Sequence, residues 1–133
     1  MALATGVGQE SHLIGLRMVC DFLRWANWRI HWLTSNDRAV VAETSARLAP
    51  DAVLLSLGTD GSVIPVGRLI ADLRRRGFPG LIAVGGRAVN CDPRRAEELN
   101  ADLSAPNAAA FLRAPRPQFP TMRGTRDLAG ADA

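Results

Sequence analysis

The sequence predicts an α/β protein with a doubly wound, five-stranded parallel sheet flanked by helices. Short apolar runs alternate with amphipathic helical patterns five times, which is typical of successive βα units. Two of the runs, DAVLLSLGT (51–59) and GLIAVGG (80–86), are almost continuously apolar, as expected for strands buried on both faces of a parallel sheet. Polar residues collect just after the predicted strands, where such folds bind their ligands.

The first βα unit occupies the N-terminal part of the chain. Residues 2–5 (ALAT) are predicted to form a short buried strand, which the loop 6–11 follows. From Leu13 to Ala26 the apolar residues recur at steps of three and four, which predicts an amphipathic helix. The polar residues Arg17, Asp21 and Arg24 are expected on the opposite face of this helix.

The later elements follow from the same patterns. RIHWLTS (29–35) is rich in strand-forming residues, and Asn36–Asp37 is a cap signal for a helix over 38–48. Further along we predict strands over 51–59, 80–86 and 101–104, and helices over 63–76, from Asp92–Pro93 to Leu99, and over 106–113. The proline-rich residues 114–133 show no apolar periodicity and predict a disordered tail after a folded domain over 1–113.

Composition excludes several classes of protein. The net charge of +3 comes with 16 arginines and no lysine, and Arg74–Arg76 sits at a helix end, where cations complement the helix dipole. Basic residues do not cluster with aromatic ones on one face, so direct nucleic-acid binding is not expected. With no long apolar run and no signal peptide, we expect no membrane span and a cytoplasmic location. Cys20 and Cys91 are too few for a disulfide framework, and Cys20 is predicted in the core.

The loop after the first strand carries a histidine with a carboxylate nearby, in GQESHLIGLRM (8–18). Neutral imidazole is a common metal ligand, and Glu10 could orient the ring of His12 by accepting its other N–H. On spacing alone, the better interpretation is that His12 simply starts the helix. One histidine cannot make a zinc site, so a metal on His12 would have to arrive within a macrocyclic cofactor.

Two further features follow the third and fourth predicted strands. Ser56 and Thr59 offer hydroxyl groups to a ligand, although on its own an ordinary Ser/Thr turn is the better interpretation. Gly85 and Gly86 permit a flat ligand or another segment of backbone to approach closely, or simply make a turn.

Taken together, the three features resemble the motifs of the cobalamin-binding domain family. The family pattern is Asp-x-His-x-x-Gly after the first strand, Ser-x-Leu after the third and Gly-Gly after the fourth. Here these read Glu10–Gly15, Ser56–Gly58 with Gly58 in place of leucine, and Gly85–Gly86, and Asn100–Asp102 is similar to the Gly-Ala-Asp that often follows. The resemblance covers residues 2–113.

The resemblance implies that cobalamin is bound base-off, with His12 as the lower ligand of cobalt and Glu10 as its orienting partner. The cofactor's nucleotide tail would then fill a slot beside the sheet, and Gly15 would keep the first helix clear of it. The cofactor-binding residues implied are Glu10, Ser11, His12, Leu13, Gly15, Ser56, Leu57, Thr59, Val84, Gly85 and Gly86. The cofactor would be adenosyl-, methyl- or hydroxocobalamin.

Departures from the family pattern favour a sensor over an enzyme. Many carrier modules of mutases and methyltransferases read Asp-x-His-Asp-x-Gly-Lys, whereas Glu10, Leu13 and Leu16 occupy the two acidic positions and the lysine position here. The run ESHLIGLRMVCDFLRWANW resembles the sensory branch, which includes light-dependent transcription regulators and antirepressors of photosynthesis genes. A DNA-binding regulator or a cap-bearing subunit is the protein partner implied.

Two alternatives stay open at this stage. One is a cobalamin carrier subunit, and the other is a heme sensor on the same scaffold, with His12 or His31 on iron. His31 itself is more simply a structural or solvent-facing strand residue. Trp25, Trp28 and Trp32 are expected to pack in the core or at the sheet edge.

Overall fold

A computed structural model describes residues 1–6, 14–92, 94–104 and 112–113, and confirms the predicted fold class. Five parallel strands form one sheet in the order β2-β1-β3-β4-β5. The strands are β1 Ala2–Gly6, β2 Ile30–Trp32, β3 Ala52–Ser56, β4 Leu81–Gly85 and β5 Leu103–Ser104. The helices are α1 Ile14–Trp25, α2 Arg38–Leu48, α3 Val63–Arg75, α4 Arg87–Cys91 and α5 Arg94–Glu98, and a 3-10 turn Asp60–Ser62 precedes α3.

Helix α2 has the bounds predicted, and its cap is the one that the sequence signals. The Asp37 carboxylate accepts hydrogen bonds from the backbone N–H groups of Ala39 (2.8 Å) and Val40 (3.2 Å). These bonds satisfy donors that the first turn of a helix leaves unpaired. The predicted N-terminus of α2 is therefore confirmed.

Strands β2 to β5 are shorter than predicted, whereas β1 extends one residue further, to Gly6. After β2, the Leu33 N–H still donates to the Ala4 carbonyl (3.0 Å), and the Thr5 hydroxyl lies within hydrogen-bond distance of the carbonyl oxygens of Leu33 (3.0 Å) and Ser35 (3.1 Å), to one of which it donates at a time. After Ser56 the chain turns into the 3-10 turn instead of continuing to residue 59.

Helix α4 was not predicted. The chain enters it directly from β4 through Gly86 and leaves it at Asp92, whose extended backbone separates α4 from α5. The Asp92 carboxylate accepts from the N–H of Arg94 at 3.3 Å, in line with the predicted cap, although Pro93 lies outside the described residues. Of the predicted helix over 106–113 the structure describes only 112–113, which are helical, and the predicted tail over 114–133 also lies outside.

The sheet has a hydrophobic core on each face. On one face Ala2 and Ala4 of β1 pack with the buried α1 residues Leu16, Cys20 and Leu23, so the prediction for Cys20 is confirmed. The small β1 side chains let α1 lie close to the sheet. The other face packs against α2, α3, α4 and α5 through larger residues, among them Leu3, Val53, Leu55, Leu69 and Ile82.

The outer side of α1 differs from the prediction. Its residues opposite the core are apolar and exposed: Ile14 (79%), Met18 (56%), Phe22 (44%) and Trp25 (78%). The expected polar residues occupy only one flank of the helix. The packing predicted for Trp25 is thus wrong, whereas Trp28 and Trp32 are partly buried against the core on the α1 side. Among the described helices, none has the length and apolar character needed to cross a bilayer.

Candidate functional site

Three residues line up across the carboxyl edge of the sheet. In the parallel register Gly6 pairs with Ser56, and Ser56 pairs with Gly85, so the last residues of β1, β3 and β4 form one row. The strand order reverses direction between β1 and β3, which makes this row the topological switch point of the sheet. Ligands of open α/β sheets bind at that position.

The side chains around this row are small on the α1 face of the sheet. Alternate residues of a strand lie on the same face of the sheet. Ala4, Leu54 and Ala83 pack on the α1 side. Gly6, Ser56 and Gly85 each lie two residues further along the same strands and therefore share that face. Apart from Leu54, each of these six residues carries two side-chain heavy atoms or fewer. The side chains in the carboxyl half of this face are therefore small, and Ala4, Leu54 and Ala83 pack directly against α1.

The two predicted hydroxyl-bearing residues lie in different environments. Ser56 is 5% exposed and ends β3 within the row, where its hydroxyl can both donate and accept a hydrogen bond. Thr59 is exposed and precedes the 3-10 turn, with its hydroxyl 3.4 Å from that of Ser62. Ser56 therefore belongs to the row, and Thr59 belongs to the rim outside it.

Leu57 and Val84 direct their side chains away from the row. Both are buried, at 0% and 2% exposure, in the core on the α2–α3 side. Leu57 instead joins two loops through its backbone, because its N–H donates to the Gly85 carbonyl (2.8 Å) and its carbonyl accepts from Ala88 (2.9 Å). These two residues therefore support the edge from the core on the opposite face of the sheet.

Gly86 makes a close backbone approach of the kind that the glycine pair permits. Its φ of +105° is unfavourable for other residues, and a Cβ atom there would lie 2.6 Å from the Leu57 carbonyl oxygen. The approaching group is thus the backbone of the β3 loop. This contact sets the position at which α4 begins relative to the row.

An ion pair between distant segments braces the same edge and was not predicted. Arg95 of α5 contacts the Asp60 carboxylate at 2.6 Å and donates to the Ala88 carbonyl at 3.1 Å. The hydrogen bond to Asp60 raises the pKa of Arg95 above its ordinary value. The partners are 35 residues apart in sequence, so no local pattern could have indicated this pair.

The first motif lies mostly outside the described residues, which exclude Glu10, Ser11, His12 and Leu13. Their predicted roles stay predictions. Gly15, in the first turn of α1, is exposed, and a Cβ atom there would meet no other atom within 4 Å. In the part of the chain that the structure does describe, no three His, Cys, Asp or Glu side chains are grouped to hold a metal ion.

The motif Asn100–Asp102 has a structural role. Asn100 has a φ of +60°, which explains why asparagine can stand where the family often has glycine. The Asp102 carboxylate accepts from the N–H of Ile82 and from Arg74, both at 2.8 Å, at the amino end of β4. This motif therefore anchors β5 and α3 at the edge opposite the candidate site.

The fold and the row define a ligand-binding α/β domain of the 2-1-3-4-5 strand order, and comparison with known proteins identifies its family. The family model described as "B12 binding domain" matches residues 2–113. The chain therefore belongs to the B12-binding domain family, as the motifs predicted, and a corrinoid is the cofactor that this membership implies.

Solved structures agree with this assignment. A cobalamin-binding protein from Desulfitobacterium hafniense DCB-2 superposes with a TM-score of 0.76 at 19% identity, over 84% of this chain and 54% of that one. The monomethylamine corrinoid protein of Methanosarcina barkeri superposes with a TM-score of 0.69 at 26% identity, over 81% of this chain and 52% of that one.

The chain spans about half the length of each of these two structures. No curated protein sequence matches it significantly. The heme alternative receives no support from the family model or from these two structures.

Proposed function

We propose that this chain is a cobalamin-binding sensory domain that holds the corrinoid base-off at the carboxyl edge of its sheet. The observation that carries the proposal is the row of Gly6, Ser56 and Gly85 across the switch point, with small side chains below it on the α1 face. Ser56 and Gly85 belong to two of the three sequence motifs, and Gly6 lies four residues before the start of the first motif.

The row and the small residues beneath it would hold the nucleotide tail of the cofactor. A tail placed beside the sheet at this edge needs room, which Gly6 and Gly85 leave because they carry no side chain, and polar contacts, for which the Ser56 hydroxyl is suited. Gly86 supports the proposed slot indirectly, because its contact with Leu57 keeps the β3 and β4 loops together.

His12 would be the lower ligand of cobalt, with Glu10 as its hydrogen-bond acceptor. The segment 7–13 joins Gly6, in the row, to Ile14, where the described part of α1 begins, so both of its attachment points support this role. When bound, the corrinoid supplies a cobalt whose upper ligand can be exchanged. The imidazole would set the electron density on cobalt, and Glu10 would hold the ring in one tautomer.

The sensory role rests on the residues that replace the carrier pattern. Leu16, in the position of the carrier lysine, is buried against the α1-side core at 8% exposure and presents no charge to the site. A change of upper ligand, by light or by exchange, would then alter a surface that a DNA-binding regulator or a cap-bearing subunit recognises. The chain would not catalyse a reaction by itself.

A carrier subunit is the second candidate, favoured by the 26% identity to a methylamine corrinoid protein. The two candidates differ in what the loaded chain does. Illumination of the adenosylcobalamin-loaded chain should change its hydrodynamic radius or partner binding if it is a sensor. Demethylation of the methylcobalamin-loaded chain by a methyltransferase would indicate a carrier instead.

The slot is tested by comparing two corrinoids that differ only in the tail. Wild type should bind hydroxocobalamin more tightly than cobinamide, which lacks the nucleotide. In Ser56→Leu the larger side chain would fill the slot, so hydroxocobalamin affinity should fall at least ~10-fold while cobinamide affinity stays unchanged. Equal loss for both corrinoids, or no loss, would contradict the assignment of Ser56 to the tail slot.

A further inference from the structure

The outer face of α1 carries four exposed apolar residues in one line. Ile14, Met18, Phe22 and Trp25 follow one another at steps of four, four and three and therefore lie on one side of the helix, opposite the buried residues. We call this set the α1 stripe. It extends over roughly 16 Å of helix. The Phe22 and Trp25 rings meet edge to face at 5.3 Å, which holds them as one aromatic surface.

The size of the α1 stripe is that of an interaction surface. Single exposed apolar residues are common, but contiguous patches of several hundred Å² mark binding sites. Two aromatic side chains of roughly 150–250 Å² each, with an isoleucine and a methionine, give an apolar patch on the order of 500 Å². The Trp25 side chain, 78% exposed at the end of the stripe, is the residue type that most often anchors an interface.

We propose that the occupant of the α1 stripe is a second copy of this chain, with its α1 antiparallel about a two-fold axis near residues 19–20. That axis places Ile14 opposite the partner's Trp25, and Met18 opposite the partner's Phe22. Each long side chain then meets one from the other copy, as an isologous interface requires. Two stripes would bury on the order of 1,000 Å², and their flanks bring the total near that of a stable dimer.

The charged flank of α1 meets the same flank of the other copy in this arrangement. Along that flank α1 carries Arg17, Asp21 and Arg24 in the order positive, negative, positive, and Asp21 contacts Arg24 at 2.8 Å at an exposed position. The two-fold axis brings the same flanks of the two helices together, with Arg17 of each copy within one turn of the other copy's Asp21–Arg24 ion pair. A parallel two-fold pairing would instead bring this flank against the opposite flank of the partner helix, which carries Gly15 and Val19, and would leave Arg17 without a carboxylate from the other copy.

Sedimentation equilibrium of the full chain at concentrations up to ~100 µM tests whether the chain forms this dimer. We expect a dimer at twice the chain mass of 14.3 kDa. Phe22→Glu should weaken dimerisation by roughly 100-fold, because it removes a central aromatic residue and buries a charge. Ile64→Glu, at a residue 66% exposed on α3, is the matched control and should leave the dimer intact. Circular dichroism establishes that both variants fold.

The antiparallel register has its own test. Asp21→Arg should weaken the dimer, and the additional substitution Arg17→Asp should restore it. In a Cys91→Ser background, oxidation of mixed Ile14→Cys and Trp25→Cys chains should form the mixed disulfide in preference to either homodimeric one. A monomer at all concentrations, a dimer that Phe22→Glu leaves unchanged, or a preference for homodimeric disulfides would overturn the proposal.

Discussion

Gly86 lies so close to the backbone of Leu57 that a Cβ atom on Gly86 would be 2.6 Å from the Leu57 carbonyl oxygen. The contact joins the loops after β3 and β4, and the φ of +105° at Gly86 adds to its requirement for glycine. The close contact and the positive φ both exist only in the folded chain. Gly86 is therefore required for the stability of the fold, in addition to its place in the proposed cofactor site.

Gly86→Ala is therefore expected to lower the free energy of unfolding by about 2–4 kcal/mol, from backbone strain and overpacking together. Urea denaturation measures the loss. The control is Gly61→Ala, where a Cβ atom would meet only the Thr59 hydroxyl at 3.7 Å and no positive φ is present. Equal effects for the two variants would show that the contact with Leu57 is not what constrains Gly86.

Gly15→Ala should separate stability from binding. A Cβ atom there meets nothing within 4 Å, and alanine favours a helix over glycine, so stability should rise by about 0.5–1 kcal/mol. If Gly15 keeps α1 clear of the nucleotide tail, hydroxocobalamin affinity should fall in the same variant, as measured by equilibrium dialysis. An affinity that stays at the wild-type value would show that Gly15 does not have this role.

The two cysteines should differ in reactivity and in their effect on stability. Burial raises the pKa of the Cys20 thiol from 9.0 to about 11, whereas Cys91 is exposed. At pH 8 a thiol reagent should label one cysteine in the native chain, and none in Cys91→Ser. Rapid labelling of Cys20 in the native state would contradict the packing of α1.

The raised pKa of Cys20 also gives stability a specific pH dependence. Between pH 9 and 11 the unfolded chain loses the Cys20 proton and the folded chain keeps it, so the free energy of unfolding falls as pH rises. The loss should total roughly 2–3 kcal/mol. With no tyrosine or lysine in the chain, few groups other than the two thiols ordinarily titrate in this window. Cys20→Ala should abolish the slope in urea denaturation, and Cys91→Ala should retain it.

Asp102→Ala should destabilise the fold far more than Asp21→Ala. The Asp102 carboxylate accepts from a backbone N–H of β4 as well as from Arg74, so its removal leaves a strand donor unpaired and should cost about 2–3 kcal/mol. Asp21 contacts only Arg24 among the ion pairs of the described residues, at an exposed position, and should cost less than about 0.5 kcal/mol in the monomer. Thermal unfolding at low protein concentration compares them, and equal losses would contradict the anchoring role of Asp102.

The extent to which the sequence predicts this structure depends on how local each signal is. The fold class, helix α2 with its Asp37 cap and the burial of Cys20 were predictable, because periodicity and capping depend on neighbouring residues. The brace between Arg95 and Asp60 was not, because it joins residues that only the fold brings together. The carboxyl end of β2 was overestimated because, beyond the hydrogen bond from the Leu33 N–H to Ala4, contacts of the Thr5 side chain take the place of the ladder.

The candidate site was predictable in outline and less so in detail. Motif order placed Ser56 and Gly85 at neighbouring strand ends, and the register confirms that they pair. The inclusion of Leu57 and Val84 followed from their positions in the motifs, although alternation along a strand turns both side chains to the opposite core. Trp25 was misjudged because the apolar pattern of α1 fits both its inner and its outer face.

The central claim, that this chain holds a corrinoid through a histidine below cobalt, is tested most directly with its two histidines, His12 and His31. Absorbance spectra of the chain with hydroxocobalamin should show base-off, histidine-on binding in wild type and in His31→Ala, and loss of that signature in His12→Ala. Hemin added in parallel should show no specific binding. A histidine-on spectrum that persists in His12→Ala, or a wild-type chain that retains no corrinoid, would contradict the account.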